Sequence, residues 1–448
     1  MQSLSSSPLG AQKLCDKPPL LTCVWRNARV LALTVLDNII SFETFFVLFV
    51  LAGVYKADPL FDVVPVDLTA AFFCASSLVG VRIVGHRKFR FPRTSGRILG
   101  FWFLFISYIA ISFLWTPGSV YAADKLFLVW TTTTWAIMGA AIVIAPDPCR
   151  VTRFFLILLF LALFLSVRIG ISIVSVGPKI FLSDLQSSYL GLGQVVGEGA
   201  IVSYILCCYH NHNKFTRVAL LLITVLFIFI LITLGGRAPF VALVLSICVP
   251  FIFLVRISAN SFFIRRTTIY GAAFVAVGVA VISYSTLQTD AGRTLARLGS
   301  LTEKGMGESA GTRIRNYYTA LDLIDERPFF GHGVGSWPLL VGLPDERSYP
   351  HNMILETTVE GGLVELLVLA TFLCYAVQLL RPLRQAFTDA ERMLLSVSII
   401  YFFINSMISG DVPDNRFFFV LVGLTACVKN RGIAHAKDSP YHDGAQRR

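Results

Sequence analysis

KFTRVALLLITVLFIFILITLGGRAPFVALVLSICVPFIFLVR (residues 214–256) is two apolar runs joined at Gly235-Gly236-Arg237. Each run has about the length an α-helix needs to cross a hydrocarbon core of roughly 30 Å. In lipid the backbone has no water to bond, so both runs must be helical. Lys214 and Arg217 precede the pair and Arg256 follows it, whereas Arg237 stands alone at the turn. The stretch reads as a transmembrane hairpin with its basic ends on one side.

The same pattern extends over most of the chain. Of its 448 residues 55% are apolar and only 15% charged, Phe alone contributes 37, and the mean hydropathy is +0.70. Such a composition points to a polytopic membrane protein. Twelve apolar runs are expected as spans: roughly 31–54, 63–84, 98–115, 126–145, 152–175, 189–209, 217–235, 238–256, 268–286, 352–377, 393–409 and 415–429. The predicted layout is a segment at 1–30, nine spans within 31–286, a large loop at 287–350, three spans within 351–429 and a tail at 430–448.

The net charge of +11 invites a nucleic-acid reading, which the placement of the charges rejects. They fall in short clusters between apolar runs. With both termini on the cytoplasmic side, 25 Lys and Arg residues fall on inner segments, and the short outer connections hold only Lys56, Lys125, Lys179, Arg237 and Arg416. That asymmetry is the positive-inside pattern. The nine cysteines show no metal-ligand spacing and no disulfide framework. No cleavable signal peptide is expected.

The loop at 287–350 is long enough to escape the charge rule. Within it RIRNYYTALDLIDE (313–326) sets Ile314, Tyr317, Tyr318, Leu321 and Ile324 at helical spacing. An amphipathic helix over the outer mouth of the bundle is expected, capped within Ser309–Thr312 and stopped by Pro328. Gly331, Gly333 and Gly335 then form a turn-rich link.

Polar residues converge on this outer face. Arg237 is either a snorkelling interfacial arginine or a fork for a phosphate. Arg313 falls at a helix start, where free N–H groups and the dipole favour an anion, and Arg315 adds to that charge. His351 stands where the chain re-enters the membrane. A helix N-terminus disfavours imidazolium, so a neutral ring there is suited to take a proton from a hydroxyl. Asn352 is placed to hold the ring or a sugar hydroxyl. Glu356 and Glu360 lie too far round the helix to bond His351, and either orient an acceptor or pair with an arginine. Asp411 either caps the last helix or pairs with an arginine. Gln194, Glu198 and Arg168 are candidates to line the same cavity. Carboxylates inside a span are functional candidates by default. The chain has no HExxH, GxSxG or Walker motif and no outer DxD pair, so a reaction without metal or cofactor is expected.

These residues together resemble the O-antigen ligase and polymerase superfamily of bacterial envelope enzymes. The family hallmark is His-Asn (or Ser), nine residues, then Gly-x-x-Gly. Here His351-Asn352 is followed by nine residues and Gly362, with Glu365 at the second glycine. LLITLGGRAPFVALVL resembles the family's T-x-S-R-G turn and puts Arg237 on its first arginine. SAGTRIRNYYTALDLIDERPFFGHGVGSW resembles the segment that carries its second and puts Arg313 there. The resemblance covers about residues 215–425.

What the resemblance implies is an all-α transmembrane bundle in the bacterial inner membrane, with its active site facing the periplasm. The donor would be a glycan on undecaprenyl pyrophosphate. The acceptor would be a sugar hydroxyl on lipid A-core for a ligase, or another lipid-linked glycan for a polymerase. Membrane lipids are the remaining partners, and nucleic acid is not one. Transfer with inversion at the sugar carbon is expected. The rival from another class is a transporter. Transporters commonly show internal repeats and mid-membrane sites; this sequence shows no repeat and loads its polar residues at one face.

Overall fold

A computed structural model of the chain describes residues 41–88, 92–177, 181–209, 214–254, 308–381 and 390–428, with short stretches between 256 and 280. The N-terminal segment, the tail, most of the expected span at 268–286 and loop residues 287–307 lie outside the described residues.

The described protein is helical apart from one antiparallel hairpin, β1 (Arg256–Ser258) and β2 (Ser261–Phe263). The helices are α1 (Phe42–Tyr55), α2 (Leu68–His86), α3 (Arg93–Ser112), α4 (Val120–Ile144), α5 (Pro148–Val176), α6 (Phe181–Asp184), α7 (Tyr189–Tyr209), α8 (Lys214–Leu234) and α9 (Arg237–Leu254). They continue with α10 (Glu308–Glu326), α11 (Trp337–Leu340), α12 (Met353–Leu380), α13 (Ala390–Ser406) and α14 (Arg416–Leu424). Seven are long and apolar enough to cross a membrane: α2, α3, α4, α5, α7, α8 and α12. Three shorter apolar helices begin at Phe42, Arg237 and Arg416.

Local chemistry sets the boundaries. Ser41 and Asp67 cap α1 and α2 by accepting from Thr44 N and Ala70 N. Asp147 caps α5, with Pro148 at its first position. The α8–α9 connection turns on Gly235, whose φ is +81°, a conformation that suits glycine. α4 widens into π-helical turns at Val129–Thr133 and Gly139–Ile144; between them Thr134 accepts from the buried Trp102 indole. α10 starts at Glu308, ahead of the cap expected within Ser309–Thr312, and ends before Pro328 as expected.

α7 packs against α5, α8, α9 and α13, and α12 against α3 and α10. Buried aromatics fill the centre, with Trp102 against Phe105, Phe372 and Phe419, and Phe154 against Phe46 and Phe417. Leu78, Phe160, Val174 and Phe215 point outward and are largely exposed. Apolar side chains facing outward along several long helices are what a lipid solvent favours.

The bundle has two chemically distinct ends. At one, Arg150 and Arg153 hold the buried Glu43, and Arg87 reaches the carbonyls of Ile142 and Val143. At the other lie the Arg168 pairs with Asp58 and Asp184 and the chain between α10 and α12.

α12 is broken. Gly362, ten residues in, has φ +67° and ψ −165°. The link after α10 fills the gap. Leu363 N and Val364 N donate to the carbonyls of Pro328 and Phe329, and His332 N and Gly333 N donate to those of Val359 and Glu360. The two backbones approach so closely that a Cβ on Gly362 would lie 2.3 Å from Phe329 O, and one on Gly331 would lie 2.5 Å from Glu360 O. These glycines are therefore required by contact as well as by φ.

Candidate active site

The site is built at the entrance to α12. Asn352 caps the helix, its Oδ1 accepting from Ile354 N and Leu355 N at 3.0 Å. One residue earlier, His351 has φ +63°, uncommon for a side chain of its size. Tyr317 on α10 donates to the carbonyls of His351 and Met407, which ties the loop helix to this corner.

His351 lines a cavity of about 360 Å³ together with Gly53, Ser188, Gln194, Asp414 and Arg416. Its Nδ1 is buried and has no hydrogen-bond partner among the described residues. Burial lowers the His351 pKa, and the nearby Arg313 charge lowers it further, against a smaller opposing effect from Asp411. The ring is thus biased toward the neutral form that accepts a proton.

The cationic residues take separate positions. Arg313 was expected at a helix start but lies five residues beyond Glu308, past the free N–H groups of the first turn; half-buried on α10, it acts electrostatically on both His351 and Tyr317. Arg315 is exposed and donates to Thr312; two residues on, it points away from Arg313. Arg237 opens α9 at a turn that packs on the start of α7: a Cβ on Gly236 would lie 3.5 Å from Tyr189 O, and Pro239 abuts Gly193. Ser188 and, on α7, Leu190, Gly191, Gln194 and Val195 form one wall of the His351 cavity. Arg416 forms another part of the wall, next to Gly53 and over the Phe49 ring.

Asp411 is almost fully buried and pairs with an arginine, as one of its two readings expected. The partner is Arg347, whose Nε and Nη2 reach its two oxygens at 3.1 Å each. Tyr121 donates to the same carboxylate, and Asp414 takes the guanidinium at 2.5 Å. Although burial opposes it, Asp411 and Asp414 raise the Arg347 pKa and hold its charge.

Among the described residues Glu356 and Glu360 pair with neither His351 nor an arginine. Both receive the ammonium of Lys125 on α4, with Glu360 oxygens at 2.6 and 2.7 Å. Lys125 was expected in an outer connection and instead is buried inside a helix. Gln194 lines the cavity as expected. Glu198 is buried against Ser398 at 2.5 Å, and Arg168 is engaged by Asp58 and Asp184.

Lys125, Arg347 and Tyr317 are the residues that sequence reasoning passed over. The one available signal was the i, i+4 spacing of Glu356 and Glu360, which puts both carboxylates on one helix face and so calls for a shared cation.

The site is thus an imidazole lining a cavity with Arg416 in its wall and the charge of Arg313 nearby, in a helical bundle with seven helices long and apolar enough to cross a membrane. Residues 219–370 match the family described as O-antigen ligase. The match covers about a third of the chain, carries Arg237, Arg313, His351 and Gly362, and supports its place in the O-antigen ligase superfamily. No curated protein matches the chain.

Proposed function

We propose that the protein moves a glycan from undecaprenyl pyrophosphate to a sugar hydroxyl, lipid A-core in the first instance, at the periplasmic face of the bacterial inner membrane. The proposed topology keeps both termini cytoplasmic, has about twelve spans, and makes 287–350 a periplasmic loop. The observation that carries the reading is His351: a base biased to neutrality, its Nδ1 unpartnered, in a cavity with Arg416 in its wall and Arg313 nearby.

In this scheme the acceptor hydroxyl attacks the anomeric carbon from the face opposite the pyrophosphate. His351 takes the hydroxyl proton as the new C–O bond forms. The old C–O bond breaks with its electron pair passing to the pyrophosphate. Arg313 and Arg237 stabilise that growing negative charge in a partly desolvated setting, and Arg416 lies where it adds to the same field. Attack from the far side inverts the configuration.

A deletion strain examined for its lipopolysaccharide tests the reading. Core without O-chains, together with accumulated lipid-linked polymer, is the expected result. Core bearing a single repeat unit would make the protein a polymerase, and unchanged envelope glycans would overturn the proposal.

A further inference from the structure

The buried cluster at Lys125 takes no part in the chemistry above. Lys125, Glu356 and Glu360 keep side-chain exposures of 1%, 1% and 6%. The Lys125 ammonium lies within hydrogen-bond distance of three carboxylate oxygens, one of Glu356 and both of Glu360, and Gly335 N–H also donates to Glu360. Two carboxylates thus share one cation inside a helical bundle. Ion pairs of this kind are seldom more stabilising than apolar side chains of the same volume, and their best-attested use is to fix register.

There is something here whose register needs fixing. The break at Gly362 separates Met353–Gly361 from the rest of α12, and a helix that short is marginal by itself. This half-helix carries the His351-Asn352 entrance. Its far end is held by the backbone of residues 328–335 and its near end by the Asn352 cap. Between them, Glu356 and Glu360 face Lys125. α4 is a firm post for that lysine: Asp345 accepts from the backbone N–H groups of Ser119, Val120 and Tyr121, and Tyr121 bonds Asp411.

We infer that Lys125 is a positioning residue, a pin from α4 that fixes the half-helix of α12 and with it the placement of His351 in the cavity. The catalytic part of this inference rests on the transferase reading; the mechanical part does not.

Lys125→Met alone leaves two unpaired buried carboxylates and is a poor test, since it is prone to misfold. The triple variant Lys125→Met/Glu356→Gln/Glu360→Gln removes the pin together with the two carboxylates it pairs, and leaves the neighbouring buried Glu365 unchanged. Backbone hydrogen exchange on the purified full-length protein is the first measurement. Exchange is expected to accelerate across 353–361 and to stay unchanged across 363–380. Equal exchange in parent and triple variant would overturn the pin. The second measurement is transfer from lipid-linked glycan, extracted from the deletion strain, to core lipopolysaccharide from the same cells. A displaced base is expected to lower kcat by about 100-fold and to leave the donor KM within about twofold. A parental kcat in the triple variant would reduce Lys125 to charge neutralisation. A parent protein that transfers no glycan would fail the transferase reading, and the exchange result would still decide the pin.

Discussion

The ring of Tyr349 stands edge-on to the imidazole of His351, with centroids 4.7 Å apart and planes at 70°. The Arg347 guanidinium lies over the Tyr349 ring at 5.6 Å and is itself held by Asp411 and Asp414. A chain of contacts thus runs from a buried carboxylate to the proposed base. Its effect is to immobilise the imidazole from behind while its Nδ1 has no hydrogen-bond partner among the described residues.

His351→Ala is expected to fold normally and to lose transfer by about 10²–10⁴-fold, the usual worth of a general base. Complementation of the deletion strain with the variant, scored by O-chain attachment, checks this. Full complementation would remove the base from the scheme.

Arg313→Ala and Arg237→Ala are each expected to weaken the transition state by about 3 kcal/mol, comparable with loss of one oxyanion donor. Lysine at either position should restore activity only in part, because an ammonium cannot fork across two phosphate oxygens. Arg315→Ala should stay near the parental rate, since that side chain is exposed and turned to Thr312. Initial rates of the five variants against the parent separate these outcomes.

The pH profile follows from the lowered His351 pKa. Activity needs the neutral ring, so the rate should fall as pH drops through a midpoint below the ordinary histidine value of about 6.5. Arg313→Ala removes a repelling charge and should move that midpoint upward. Folding stability has the same sign: below about pH 6.5 the unfolded chain binds the proton more readily than the folded one, so stability declines as pH falls toward the folded-state pKa. A kcat/KM profile of parent and variant, with a midpoint that Arg313→Ala leaves in place or lowers, would count against the electrostatic account.

Gly362→Ala should be strongly destabilising, by more than about 2 kcal/mol, because its backbone conformation is nearly exclusive to glycine. The added Cβ would also meet Phe329 O at 2.3 Å. Thermal unfolding in detergent reads the loss. A neighbouring control, Gly342→Ala, shares a positive φ but has open space around it, so its cost should be smaller.

Much of the architecture was legible because lipid leaves the backbone few choices. The runs at 63–84, 152–175 and 217–235 emerge as α2, α5 and α8 within a few residues, since apolar length alone decides them. Asn352, expected to hold the ring or a sugar hydroxyl, is instead the cap of α12, its Oδ1 accepting from Ile354 N and Leu355 N. The partners of buried charges were not legible. Lys125 and Glu356 are 231 positions apart, and Arg347 and Asp411 are 64 apart; no local pattern encodes such pairs. A lysine close to the end of an apolar run reads as a topology signal, and only tertiary packing turns it inward. The π-helical turns of α4 were hidden for a similar reason, because Trp102 against Thr134 belongs to packing rather than to sequence period.

The seam at Gly362 also bears on how the chain is made. If α12 entered the bilayer alone, four peptide groups around its gap would be stripped of water with nothing to bond, each at a cost of several kcal/mol. The segment that satisfies them, residues 328–335, lies upstream in the chain and leaves the ribosome first. Synthesis in that order delivers the patch before the tear, so slowing or deleting the upstream segment should strand the later span at the translocon.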